Sequence, residues 1–393
     1  MEVIQIHTLL NSVIEEISGE QATLLNEDLS NVVDVGRSVF NATSYDKFTK
    51  SLVDHIGRVI FVDRKYEGTV PSVIYDGFEF GAVLEKIGSE IPEYTENETW
   101  DLQSGQSYDP NIFYGSSVYA KFFSKYVTFE VPLSVTDKQA KSAFSSASEL
   151  RRFVNMLFGK VEDAMVLASE NLVMRTINGA IAETIYADYG ATAIGTKSGV
   201  KAINLLYLYN QAHAGATLTQ AQALESPDFI RFASAEMMKV ANRMKKVSVL
   251  FNVGGKKRFT PMKNLKIVLH SDFSANAKAY LYSTTFHEEY VKLPKADEVP
   301  YWQGCGDDYD VAETTAIDVK LPSDNSKTVA VDGILGVYFD EDCLGMLNFE
   351  RYTTSDYNGK AEFTNYWHKQ KVCAWLDTNE NFVVFLCNDD TGE

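Results

Sequence analysis

The stretch SASELRRFVNMLFGKVEDAMVLASENLVMRTINGAIAETIYADYG (146–190) decides the architecture of this 393-residue chain. It opens on Ser146-Ala-Ser-Glu149, a capping-box pattern in which a serine hydroxyl and a glutamate three residues on satisfy each other's free backbone N–H groups. Behind it, Leu150, Phe153, Val154, Leu157, Val161, Ala164, Met165, Ala168, Leu172, Val173, Ile177, Ala180 and Ile181 keep the 3-4 spacing of an amphipathic helix. The pattern lasts to about Tyr186 and stops before Gly190, so a helix over 147–187 is expected, roughly 60 Å long. Gly159 and Gly179 lie inside it and each costs about 1 kcal/mol against alanine, which permits slight bends. Such a length is unusual in a compact enzyme, and the broad apolar stripe has no strict heptad. It reads as a structural spine.

Before the spine, Val118 to Val131 alternates as a strand. Tyr119, Lys121, Phe123, Lys125, Val127 and Phe129 share one face, and Val118, Ala120, Phe122, Ser124 and Tyr126 share the other. With an earlier extended arm from about Arg58 to Phe80, it forms a two-stranded excursion around a Glu-, Ser-, Asn- and Gly-rich tip at 88–115. A lone ribbon is marginal in water and needs a partner surface. Phe78, Phe80, Phe113, Tyr114, Phe122 and Phe123 are therefore candidate subunit contacts. Residues 1 to about 50 read as short helical pieces forming an arm.

After the spine, residues 191 to about 335 read as a mixed α/β unit. Ser226-Pro227-Asp228 starts a helix reaching about Lys246. LKIVLH (265–270) is a buried strand, Ser271-Asp272 caps a helix to about Thr285, and 295–330 is polar and loop-rich. GILGVYF (333–339) is a strand, and 366–376 with 382–387 is expected to form a hairpin around Asp377-Thr-Asn-Glu-Asn381.

Charge is unevenly placed in a chain of net charge −18. Between Met237 and Lys266 stand nine basic residues and no acid, among them Lys256, Lys257 and Arg258. Between Ala296 and Val319 stand seven acids and no base, among them Asp307, Asp308 and Asp310. Either these are two solvated faces, or one copy's basic segment lies beside a neighbour's acidic one; the six residues named are contact candidates on the second view. The acidic total argues against nucleic-acid capture by bulk charge, though not against enclosing DNA.

Recognisable enzyme chemistry is missing from the sequence. Val253-Gly254-Gly255-Lys256-Lys257 lacks the first glycine and final hydroxyl of a phosphate loop and reads as a basic turn. His287-Glu288-Glu289 has no second histidine four residues on, there is no GxSxG, and the histidines are scattered. Asp307-Asp308-Tyr309-Asp310 lacks the glycine and terminal glutamate of a calcium loop. Cys305, Cys343, Cys373 and Cys387 form no CxxC pair and are expected to be free thiols. We expect no cofactor, no metal and no catalytic residue. No apolar run approaches 18 residues, and Met1–Glu20 has no positively flanked apolar core, so neither a membrane span nor a signal peptide is expected.

An N-arm, a two-stranded excursion, a very long helix, an inserted α/β unit and returning β-structure, in that order, resemble the α+β capsid fold named for bacteriophage Hong Kong 97. The stretches carrying the likeness are FTKSLVDHIGRVIFVDRKYEG (48–68), KSAFSSASELRRFVNMLFGKVEDA (141–164), DGILGVYFDEDCLGMLNFE (332–350) and YWHKQKVCAWLDTNENFVVF (366–385). Their texture is similar to capsid proteins of small podophages of Gram-positive bacteria. The resemblance implies a major head protein that self-assembles into an icosahedral or prolate shell around double-stranded DNA. It implies an N-terminal arm at 1–58, an extended loop at 59–131, and a peripheral domain at 132–190 holding the spine. It further implies an axial domain at 191–335 and a return to the peripheral domain at 336–393 with the hairpin. A separate scaffolding protein and a portal protein are expected partners, with assembly in the bacterial host cytoplasm and no membrane. Some members crosslink subunits through a loop lysine; Lys86, the only lysine between Lys65 and Lys121, reads instead as a solubilising side chain. Two other readings stay open: an encapsulin-like nanocompartment shell, and a hydrolase with its site in 191–335.

Overall fold

The computed structural model describes residues 7, 10–14, 16, 24–26, 30–42, 51, 70–76, 84–91, 104, 111, 115, 118–123, 126–190, 192–283, 296–303 and 315–391. The expected strand at Val59–Val62 and the loop tip's aromatic residues lie outside them. In chain order the strands are β1 (Ile74–Asp76), β2 (Leu84–Ser89), β3 (Val118–Phe123), β4 (Tyr126–Thr136), β5 (Ala202–Asn204), β6 (Leu265–His270) and β7 (Asp297–Val299). There follow β8 (Ile317–Lys320), β9 (Thr328–Val331), β10 (Ile334–Asp340), β11 (Leu344–Asn358), β12 (Phe363–Leu376) and β13 (Phe382–Leu386).

The spine is a single helix, Ala147–Tyr189, about 64 Å long. The Ser146 hydroxyl accepts the Glu149 N–H, as the capping pattern predicts. The reciprocal half of the box is replaced: the Glu149 carboxylate turns to Arg152 at 3.0 Å, an i,i+3 pair open to solvent. Val173, Ile177 and Ile181 of the helix enter one core with Val337, Phe339 and Val384 of one sheet and Met346 and Val372 of another. Farther toward its start, Glu162 receives both contacts of Arg351 Nη1, at 2.8 and 3.0 Å, which ties the spine to β11.

The first sheet has the order β1-β11-β12-β4. The β11–β12 pair is a long hairpin running from Leu344↔Leu376 to Asn358↔Phe363. β4 pairs along β12 and forms the edge, where Pro132, which has no N–H to give, is tolerated. The excursion's return arm thus divides: Tyr126 onward joins this sheet, while Val118–Phe123 pairs, among the described residues, only with β2.

The second sheet has the order β5-β13-β10-β6-β7 and is the centre of the α/β unit. The expected C-terminal hairpin is not formed. β12 pairs with β11 and β4, whereas β13 inserts between β5 and β10 in the other sheet. The physical reason is burial. All five residues of FVVFL are buried, the signature of a strand covered on both faces, while β12 is only partly covered. The helix Pro227–Met244, with Ser226 as cap and proline in its first turn, covers this sheet through Phe229, Ile230, Ala233 and Met237. The polar stretch 295–330, read as loop, contains β7 and the β8–β9 hairpin; its strands are only three or four residues long, too short for periodicity to reveal. Cys343, Cys373 and Cys387 are free and buried.

Candidate subunit-contact site at the loop root

The β2–β3 ribbon has two unlike faces because side chains alternate along a strand. Ile87, Val118 and Phe122 point outward and are 67%, 63% and 61% exposed. Lys86, Tyr119 and Lys121 point inward, toward the Asp377–Asn381 turn that leads from β12 to β13.

Lys86 and Lys121 face each other directly across the ribbon. Like charges in that position are destabilising on their own. The fully buried Asp377 carboxylate resolves the conflict by taking one lysine on each oxygen, Lys86 at 3.0 Å and Lys121 at 2.9 Å. Lys86 also donates to Glu380 at 2.7 Å, and Arg258 Nε reaches the same Glu380 oxygen at 3.2 Å. A further Arg258 nitrogen donates to the Tyr119 hydroxyl, and its guanidinium lies 5.2 Å from that ring's centroid. Three cations and two acids thus clamp the ribbon's root to the body.

Two glycines permit the approach. A Cβ at Gly88 would meet the Tyr119 hydroxyl at 2.5 Å, and one at Gly254 would meet Asn379 Oδ1 at 2.0 Å. Gly254 N–H donates to the Thr378 carbonyl at 2.9 Å and Phe382 N–H to Phe251 at 2.8 Å, which docks the 251–258 turn on the Asp377–Asn381 turn.

The charges tune one another. Burial alone would pull the Lys86 ammonium down, but Glu380 and Asp377 outweigh it and leave the group above its ordinary value. Burial would push the Asp377 carboxyl up, yet Lys121 and Lys86 hold it below the usual aspartate range. Nearby Asp340 lacks such cations and is raised, chiefly by burial. The arrangement holds charge and shape.

Of the sequence-predicted contacts, Phe122 stands on the bare outer face and Phe123 is half-buried, its ring 5.4 Å from Lys121 Nζ. Lys256 pairs with Glu90, whose carboxyl it holds below the usual range, and Arg258 is engaged by Glu380 and Tyr119. Lys257 is exposed. Phe78, Phe80, Phe113, Tyr114, Asp307, Asp308 and Asp310 lie outside the described residues. Lys86 is not a freely solvated lysine: its side chain is 19% exposed and doubly paired. In the sequence Asp377 and Glu380 show themselves only as turn residues. Their partners on the ribbon lie 256 to 294 residues away, a separation that no local pattern signals.

Among the described residues, no group of three or more histidines, cysteines and acids is placed to hold a metal, and no helix is long and apolar enough to cross a membrane. A search of curated proteins gave no match. Among solved structures, the chain is similar to one in the capsid structure of Staphylococcus phage Andhra, with 9% identity, coverage of 79% of this chain and 82% of that one, and TM-score 0.47. A chain in the structure of head fiber and inner core protein gp22 of native bacteriophage P68 gives 10% identity, coverage of 83% and 86%, and TM-score 0.49. One in the capsid structure of cyanophage P-SCSP1u gives 9%, 81% and 86%, and 0.40. The family model of the Phi29-like phage major capsid protein matches residues 10–386, nearly the whole length, and the chain accordingly belongs to that family of shell-forming head proteins.

Proposed function

We propose that this head protein closes its shell by laying the excursion on a neighbouring subunit, with the charged clamp fixing the angle at which the excursion leaves the body. The observation that carries this is the ribbon's asymmetry. Its inner face is fastened by Lys86, Lys121 and Tyr119, while Ile87, Val118 and Phe122 are left bare on the other. Apolar side chains that exposed on a two-stranded ribbon gain nothing within the subunit and mark a contact surface. The extended loop of a Hong Kong 97-type subunit occupies this place in the chain order, with Ala147–Tyr189 as spine and β5, β6 and β7 in the axial domain at 191–335, whose sheet is completed by β10 and by β13 from the 336–393 segment.

The shell so formed, icosahedral or prolate, encloses double-stranded DNA and assembles in the host cytoplasm on a separate scaffolding protein and around a portal. The sequence carries no catalytic motif, and we assign the chain no enzymatic activity. Changing Ile87 and Phe122 to Asp tests the contact. The variant should melt like the wild type, because neither side chain is buried, yet give soluble subunits instead of sedimenting shells. Normal shells from this variant would refute the contact.

A further inference from the structure

At the far end of the helix Pro227–Met244 stands a second bare surface. Val247, Val249, Leu250, Phe259 and Met262 are 45%, 47%, 53%, 50% and 41% exposed. They are gathered on one short hairpin, closed by Ser248 N–H to Arg258 O at 2.9 Å and Arg258 N–H to Ser248 O at 3.0 Å, and joined to the helix by Thr260 N–H to Met244 O at 2.8 Å. The hairpin is held in place. Asn252 ties its own turn through both its oxygen and its nitrogen to the Lys256 backbone, at 2.8 and 2.7 Å, and Phe251 O accepts from Phe382. A surface so fixed loses little freedom when something binds it.

Its charge says what binds. Lys256 and Arg258 are engaged within the subunit. Among the described residues, however, Lys246, Lys257 and Lys263 have no carboxylate within ion-pair distance. The surface is apolar in the middle and positive around. Two such surfaces repel, so it does not mate with its own copy across a two-fold axis. A phosphate backbone would use the lysines and leave five apolar side chains without a partner. An acidic protein surface rewards both.

The opposite end of the same unit is acidic. Gln220, the first residue of the short helix Gln220–Ala223 that leads into Pro227–Met244, donates its backbone N–H to Asp389 at 2.9 Å and its side chain to Asp332 at 2.8 Å. Asp228 in the first turn of Pro227–Met244 stays largely exposed although Arg231 approaches it at 3.4 Å. The helix of 18 residues separates the two ends by about 27 Å.

We propose that the 247–262 hairpin seats on the acidic Asp228/Asp332/Asp389 end of a second copy of this chain, head to tail. Two different complementary surfaces on one subunit generate a closed ring when the rotation between copies closes, and the opposed charges set orientation. The proposal rests on the shell-forming reading and names a contact distinct from the loop's outer face.

The test uses the full chain under conditions in which the wild type gives shells. Changing Leu250 to Asp and Phe259 to Ser should leave thermal unfolding unchanged and lower the sedimenting shell fraction at least about tenfold, since 1.4 kcal/mol at a contact is a factor of ten. Reversing Lys246, Lys257 and Lys263 to Glu should do the same, and adding Asp228→Lys and Asp389→Lys in that chain should restore shells. If the fully reversed chain fails to fold, the Leu250/Phe259 pair decides alone, because both side chains are exposed. Normal shells from that pair overturn the proposal. So do shells of normal yield that enclose less DNA, which would turn the hairpin toward the genome. If no condition, supply of the scaffolding protein included, gives wild-type shells, the shell-forming reading fails, and not this contact alone.

Discussion

Asp377 is the residue on which the loop root turns. Its carboxylate is wholly buried and lies between two lysines that would otherwise repel across the ribbon. Removing one partner of a buried ion network typically costs about 3–5 kcal/mol, and less where solvent reaches Lys121. Asp377→Ala should therefore loosen β2 and β3 without unfolding the two larger sheets, and hydrogen exchange should show protection lost in 84–89 and 118–123 alone. Global loss of protection would mean that the clamp belongs to the core. The pH dependence has a definite sign. Asp377 is held below its ordinary value, so its contribution is complete above about pH 3.9 and is lost as pH falls through the lower folded value. Lys86 is held above its own, so its contribution is complete below about pH 10.4 and is lost as pH rises through the higher folded value. Ribbon protection, corrected for intrinsic exchange, should thus be flat across neutral pH; a step near pH 6–7 would point to a group outside the clamp. On the spine, Val161 is 6% exposed, and Val161→Asp should cost several kcal/mol and give insoluble protein. Soluble, normally melting protein would show that this face of the helix is not core.

At the scale of elements, the spine was the most legible part. A capping serine, an unbroken 3-4 stripe and a terminal glycine gave Ala147–Tyr189 to within two residues of the expected end. The helix from Ser226 and the strand LKIVLH were equally local and equally plain. Pairing was not. β12 and β13 stand five residues apart and imitate a hairpin, but FVVFL is apolar on both faces and so belongs inside a covered sheet, a cue present in the sequence. The long strand Leu344–Asn358 was missed because its far half is polar and gains its place from β12, not from a core. The clamp was illegible for a related reason: the ribbon's alternation showed which lysines share a face, but nothing local showed which carboxylates they meet. The excursion itself carries a prediction. Replacing residues 92–115 with a short Gly-Ser bridge keeps both ribbon strands and the clamp. Circular dichroism should show a folded subunit, and sedimentation should show no shells. A variant that cannot fold would make that segment part of the subunit core.

For the whole molecule, membership in the phage capsid family explains features that are costly in a solitary globular protein. A ribbon bare on one face and a hairpin with five exposed apolar side chains are the surfaces that the proposed contacts would cover. The net charge of −18 suits a wall that surrounds DNA without gripping it everywhere. On the proposed contact, the ribbon's outer face is covered by a second subunit while its inner face stays fastened to its own. Cryo-electron microscopy of assembled particles tests it directly. Closed shells should show Ile87, Val118 and Phe122 against a neighbouring subunit, with Lys86 and Lys121 still on Asp377 of their own chain; shells in which those three side chains face solvent, or a protein that never leaves the monomeric state, would contradict this contact.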